Sequence, residues 1–474
     1  MQRTHNTGGP LMWRALGVLI SSCAMVLLSG SLVDASTGTG WSKVSIPPLA
    51  QSTSKLNVKE SFSDIVTVPG SGNMTVLAGS YTVQTKSKPI HSQIHPVVMR
   101  VDNNTVTNMS PPAPNESMQF MSVSALSSSD IWAVGWSQPG YDYSNNTNAF
   151  PLAEHWNGSS WSATQLPSPD STTPGVLYGV AASASDNVWA VGYSLKDPHG
   201  VPTTFLFHWN GSQWTSIPET VKGVFLAAVG TTGPDDVWLA GGTATSAAPL
   251  IQHWNGATLS VVPTPSSLAS GAGGTLVSVL EIHENSAKDV WFLAQVTSGT
   301  SIQNSVSYPL VLHWNGSKIS QIANVPIPHG DTVIDVSGIS STSSSDVWIT
   351  GTAFQHLGES AKPYPYLAHF DGTAWTSVDI QIGGKVQAGA LTGVVSFGNG
   401  HAAVLGDSSG TDVYLLEHTG STVSSTVNVG ALNPQNAGAT PWIIAGIVIV
   451  VVIIGGAVYM IRRRSSGAAG RTAA

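Results

Sequence analysis

Fourteen histidines are the residues of this 474-residue chain best suited to moving protons near neutral pH. Six of them, His155, His208, His253, His313, His369 and His418, recur in step along the chain. A residue placed once per repeat is spread around the molecule and cannot converge on one metal, so each imidazole is expected to bond backbone or water near a strand end. Five acids recur in the same rhythm, Asp130, Asp186, Asp236, Asp289 and Asp346, and read as turn caps that bond their own backbone. His91 and His95 are four apart, a metal-ligand spacing on a helix, but Pro89 and Pro96 flank them and put them in a loop between strands. His199, His283, His329, His356 and His401 fall outside the rhythm. His283 stands between Glu281 and Glu284, the densest titratable group of the chain, and general acid–base chemistry needs such neighbours. The expectation is nevertheless a solvated rim, with no catalytic residue, no metal and no cofactor.

The rhythm comes from a repeat. Val-Trp or Ile-Trp follows an acidic turn at Trp132, Trp189, Trp238, Trp291 and Trp348. His-Trp-Asn-Gly follows at His155–Gly158, His208–Gly211, His253–Gly256 and His313–Gly316, with degenerate copies at His369–Gly372 and Glu417–Gly420. A period near fifty residues with four short β segments marks propeller blades. Asn-Gly reads as a hairpin turn in which both residues tolerate positive φ, and the tryptophans fill the wedge between blades. Counting second strands, including Met74–Gly79 and Ala402–Gly406, predicts an all-β, seven-bladed propeller of four-stranded antiparallel blades. Its blades run roughly 60–110, 118–167, 176–218, 223–263, 274–327, 333–382 and 388–429. Trp41–Pro47 matches Trp161–Pro167 and is expected to close the ring as an added outer strand, 41–47, since Val423–Val427 lacks the tryptophan.

In its small-residue second strand ending in glycine, its aromatic third strand and the tryptophan after its tight turn, the chain resembles the kelch and galactose-oxidase-like class of propeller repeats, in which the turn is followed by Trp-x-x-Leu-Pro. Val188–Gly192 and His155–Trp161 carry the likeness, and the kelch double glycine stands only at Gly241-Gly242. The resemblance implies an architecture and no activity. A sialidase would need three arginines to clamp a carboxylate, and Arg100 alone lies between Ser36 and Pro441. Galactose-oxidase chemistry needs a cysteine, and the single one, Cys23, lies in the first thirty-five residues.

Those residues, 1–35, have a charged start, an apolar stretch and a small-x-small exit, the pattern of a signal peptide. After a 36–429 propeller and a 430–441 linker, Trp442–Ile461 is an uncharged run long enough to span a bilayer, and Arg462–Arg464 would hold the 462–474 tail in the cytoplasm. The expected location is thus the cell membrane, single-pass, with the propeller outside. Between Ser36 and Pro441, 12 Lys and Arg face 25 Asp and Glu, which argues against nucleic acid as a partner. Length variation concentrates in Trp136–Phe150, Leu195–Pro202, Gln295–Tyr308 and Phe354–Tyr366, loops of one face that carry Trp136, Tyr141, Tyr143, Tyr308, Tyr364 and Tyr366. Tyrosine and tryptophan amid Ser, Asn and Gly suit contact surfaces. The expected function is a monomeric, non-enzymatic module that binds or senses an extracellular glycan or protein through that face. The alternatives are a polysaccharide-active enzyme, with off-register acids and histidines around the central channel, or an envelope scaffold.

Overall fold

The computed structural model describes residues 40–49, 56–86, 91–111, 116–139, 149–167, 174–194, 203–243, 248–268, 276–298, 306–327, 333–354, 363–382, 385–386, 389–408, 412–420, 423 and 426–429. The signal-peptide segment, the apolar run Trp442–Ile461, Tyr141 and Tyr143 lie outside them. Among the described residues no helix is long and apolar enough to cross a membrane.

The described chain folds as a seven-bladed, all-β propeller of four-stranded antiparallel blades. The inner strands are Leu56–Thr67, Glu116–Ser127, Val176–Ala184, Val224–Gly233, Leu276–Ser286, Val333–Ser343 and Ala390–Gly398. Each contacts the next, and the seventh contacts the first, which closes the ring around a central channel. The outer strand of blade seven comes from the other end of the chain. Trp41–Val44 pairs antiparallel with Asp412–His418, Trp41 opposite His418. Closure removes the exposed edge that an open sheet would leave. Thr426–Val429 does not join blade seven; it runs parallel to Asp379–Ile382, in the connection from blade six.

The recurrent residues form a side-chain unit that differs from a turn cap. In blade six the Asp346 carboxylate accepts from the Trp348 indole at 3.1 Å and bonds His369 Nε2 at 2.8 Å, and that imidazole packs on the Trp348 ring at 4.3 Å. Blades four and five repeat this with Asp236–Trp238–His253 and Asp289–Trp291–His313. In blade two Asp130 bonds His155 at 2.8 Å. Blade three corrects the register read from the sequence: the acceptor for Trp189 and His208 is Asn187, not its neighbour Asp186. These histidines therefore bond a side chain, not backbone or water. Blade seven lacks the acid, and His418 Nδ1 bonds the Gly400 carbonyl instead.

Each of these tryptophans also seats the following blade. Trp132 meets Trp209 at 5.2 Å and Trp214 edge-on at 5.5 Å, and Trp348 meets Trp41 edge-on at 5.9 Å. Trp41 thus occupies against blade six the place that Trp214 occupies against blade two. Beside this unit, in blades two to five, the Asn-Gly turn is a four-residue loop. Only the glycine has positive φ (+93° at Gly158), while Asn157 Oδ1 accepts from the amides of Ser159 and Ser160.

The glycine that ends each second strand has a steric cause. Every inner strand carries a bulge, for instance between Phe62 and Asp64 or between Leu177 and Gly179. The bulge pushes the inner backbone onto the facing residue, so that a Cβ at Gly135, Gly192 or Gly241 would overlap the carbonyl oxygen of Gln119, Val176 or Phe225. Blade five differs, with Ala294 facing its bulge.

Candidate functional site in the central channel

The residue just past each bulge occupies one column around the channel: Asp64, Ser122, Gly179, Ala228, Glu281, Gly338 and Gly393. Five are small, which lets seven inner strands approach one axis. The other two are acids. Small hydroxyls in and beside this column satisfy the free edge of the next inner strand. Ser122 accepts from the Val180 amide at 3.3 Å, Ser124 from the Ala182 amide at 3.1 Å and Ser340 from the Ser396 amide at 2.9 Å.

Asp64 makes the same seam bond with a carboxylate, accepting from the Val123 amide at 2.9 Å and from the Ile65 amide at 2.7 Å. Since Ser122 performs this task without charge, the seam does not require an acid. Burial pushes the Asp64 carboxyl up to about 6, against the pull of those amides and the Ser122 hydroxyl. Glu281 is walled in by protein yet exposed to solvent, as a side chain projecting into a channel must be. Its pKa is raised well above the carboxylate range by enclosure and by the charge of Asp64. Blades one and five are separated along the ring by blades six and seven, so the Asp64 charge reaches Glu281 across the ring axis.

Blade five carries the rest of the polarity. Burial lowers His283 to about 4 and keeps it neutral, hydrogen-bonded to the backbone of Ser341. Glu284 lies against blade four, where a Cβ on Gly230 would coincide with its Oε1. Burial, with the Asp236 charge beyond, pushes Glu284 up to about 8. Equivalent positions in blades six and seven are Ser341 and Ser396, and the Ser396 hydroxyl donates to Asp346 at 3.1 Å. The sequence cluster Glu281–His283–Glu284 is therefore part of the channel wall and not a solvated rim. Asp64 escaped sequence reasoning, although aligning the inner strands on the glycines that face their bulges would have put it in one column with Glu281.

The aromatic residues expected to bind ligand divide. Trp136 is buried in the second strand of blade two, packed with Ile94, Ala149 and Val176, and Tyr366 is buried in blade six with its hydroxyl donating to the Pro326 carbonyl at 2.9 Å. Both belong to the core and present no binding surface. Tyr364 is half-buried, and Tyr308 is exposed at the start of a third strand. The strands extend further into the supposed loops than the sequence suggested: Trp136, Gln295, Tyr308, Tyr364 and Tyr366 all lie in ladders. Among the described residues no group of three or more metal-ligating side chains is assembled.

No protein-family model matches the chain, and no curated protein does, so the kelch likeness remains a resemblance. Solved structures of similar shape include a GH74 xyloglucanase from Xanthomonas campestris, at 10% identity over 84% of this chain and 56% of that one, with a TM-score of 0.48. This chain therefore spans little more than half of the xyloglucanase. The polysaccharide lyase Uly1 matches at 10% identity over 75% and 89% of the two chains, with a TM-score of 0.42. The fucose-specific lectin of Aleuria aurantia matches at 14% identity over 68% and 94%, with a TM-score of 0.35. Propeller enzymes and a propeller lectin stand side by side here, and the expectation that this chain is not an enzyme is withdrawn. The missing arginines and cysteine exclude sialidase and galactose-oxidase chemistry and no other.

Proposed function

We propose that this chain is a glycan-directed propeller of the cell exterior whose working site is the carboxyl pair of the central channel. The observation that carries the reading is the column past the bulges, where the only two departures from small residues are both acids and the charge of Asp64 bears on Glu281. Two carboxyl groups whose environments hold them in different protonation states are the equipment for cleaving a glycosidic bond. Enclosure and the Asp64 charge favour the protonated form of Glu281, which serves as the acid. Asp64, at about 6, is mostly ionised and serves as the carboxylate partner, oriented by the amides of Val123 and Ile65. The test is release of new reducing ends from neutral polysaccharides by the full chain. Glu281→Gln and Asp64→Ser, the latter copying Ser122, should each lower the rate by about 100-fold or more with little change in melting temperature. Undiminished turnover in both variants would end the reading.

Membrane attachment through Trp442–Ile461 belongs to the same proposal. The last described strand, Thr426–Val429, runs along the connection between blades six and seven. That connection shares a face with the second-to-third-strand loops, since the Gly389 amide bonds the Pro363 carbonyl at 2.9 Å. A short linker from there turns that face towards the bilayer. Protease added to intact cells should cut the Trp136–Phe150 loop faster once the linker is lengthened with Gly and Ser.

A further inference from the structure

Three donors converge on the Asp64 carboxyl. The Ile65 amide donates to Oδ1 at 2.7 Å, the Val123 amide to Oδ2 at 2.9 Å, and the Ser122 hydroxyl makes the third hydrogen bond. An ionised carboxyl only accepts hydrogen bonds, so a ring of donors suits that form; a protonated one brings a hydrogen of its own against them. Two of the three donors are backbone and belong to any sequence that keeps the bulge. The hydroxyl is the one donor that a change of side chain removes.

Ser122 is itself held in place. Its oxygen accepts from the Val180 amide at 3.3 Å, so the bonds run from blade three through the blade-two hydroxyl to the blade-one carboxylate. The seam does not need this hydroxyl to close, because the same column carries Gly179, Ala228, Gly338 and Gly393 in other blades. Two residues on, Ser124 makes the same bond to blade three, accepting from the Ala182 amide at 3.1 Å, but blade one has Val66 at that level instead of an acid. The strands around Asp64 bring little other charge to it. Lys59 and Glu60 stand on its own inner strand, Glu116 lies six residues before Ser122 on the blade-two strand, and Tyr81 is the one titratable residue of the neighbouring second strand. The blade-seven inner strand, Ala390–Gly398, has no titratable group, and Glu281 is the acid on which the Asp64 charge bears.

We infer that Ser122 is a positioning residue, a bridge between blades one and three whose hydroxyl holds Asp64 as an oriented carboxylate in the channel. Its catalytic consequence rests on the glycan reading above, whereas the bond and the ionisation it controls do not. Enclosure already lifts Asp64 to about 6, so loss of a donor to its charged form carries it through neutrality and leaves the channel with two uncharged acids.

The test is a carbon-13 NMR titration of the full chain labelled at the aspartate carboxyl carbons, with the Asp64 signal identified by its loss in Asp64→Ser. Ser122→Ala, which copies Ala228, and Ser122→Gly, which copies Gly179, should each raise the Asp64 midpoint by about one to two pH units. Ser122→Thr keeps the hydroxyl and should restore it, and Ser124→Ala should leave it in place. If the chain cleaves polysaccharide, the low-pH limb of the turnover profile should move up by the same amount in Ser122→Ala. A midpoint unmoved in both Ser122→Ala and Ser122→Gly, or moved equally by Ser124→Ala, would overturn the inference whatever the activity. Absence of turnover in the unaltered chain would instead sink the glycan reading, with the titration still deciding the role of Ser122.

Discussion

Blades five and six share the same outer architecture and differ at the channel. Both anchor a second strand with the Asp–Trp–His unit, Asp289–Trp291–His313 in one and Asp346–Trp348–His369 in the other. Their inner strands part company: Gly338, Ser340 and Ser341 in blade six stand where blade five has Glu281, His283 and Glu284, and Gly351 stands where blade five has Ala294. Small residues are what a seven-fold ring needs at its axis. Blade five gives up that convenience, and its acids sit where burial penalises charge. The strongly repeated residues, which look most like chemistry in the sequence, do packing work, and the buried acids of the inner strands lie where the repeat breaks.

The largest effect should come from the packing side. Trp41 is fully buried against Trp348, its ring 4.8 Å from that of His418, so Trp41→Ala should lower the unfolding free energy by about 3–5 kcal/mol. Thermal and denaturant unfolding of the purified chain would check it. A loss under about 1 kcal/mol would mean that the ring holds without this strand.

Blade five and blade six should next respond to pH with opposite sign. The Asp346 carboxyl is depressed by its bonds to His369, Thr342 and Ser396, which outweigh its burial. A depressed carboxyl stabilises the fold fully above its unfolded pKa, near 4, and that contribution is lost as pH falls through the folded value. Glu284 is raised to about 8, so its contribution is full below the unfolded value and is lost as pH rises from about 4 through about 8. Glu284→Gln should therefore raise stability at pH 9 by about 2 kcal/mol and change little at pH 4, whereas Asp346→Ala should cost about 1–3 kcal/mol near pH 7 and less at pH 3. Unfolding curves across pH read both. Parallel shifts in the two variants would erase the distinction drawn between the blades.

Gly230 and Glu284 offer a tighter probe. Gly230→Ala should destabilise by about 1–3 kcal/mol because the new methyl displaces the carboxyl. In the Glu284→Ser background, which copies Ser341, the same change should be nearly neutral. Additive effects in this double-mutant cycle would show that the two residues do not share one space.

The smallest contrast separates neighbours in blade three. Asn187→Ala removes the acceptor shared by Trp189 and His208 and should cost about 1–3 kcal/mol, while Asp186→Ala should stay within about 0.5 kcal/mol.

That last pair also shows how far the sequence could be read. Seven blades were legible because each second strand announces itself by a small-residue run and five of the seven add a recurring tryptophan, features demanded by inter-blade packing. The inner strands were harder. Their bulges shift the phase by one residue, so Asp64 and Glu281, some two hundred residues apart, share a column that no local pattern reveals. Nor could the alternation of apolar and polar residues show that Trp136 and Tyr366 stay buried, because strands continuing into the apparent loops turn those rings inward. The partner oxygen of each repeated histidine was likewise obscured in blade three, where Asp186 and Asn187 compete for the same alignment.

The closing strand has a consequence in time. Residues 40 and 419 touch, the Thr419 hydroxyl donating to the Gly40 carbonyl across 379 positions of chain. A ribosome adding about 5–20 residues per second needs roughly 20–75 s to make that stretch. Throughout that interval the first strand of the propeller waits for its partner, with the Trp41 ring unsheltered. Maturation of this protein is therefore a delayed clasp, in which the Trp41–Val44 strand stays open until the last blade arrives.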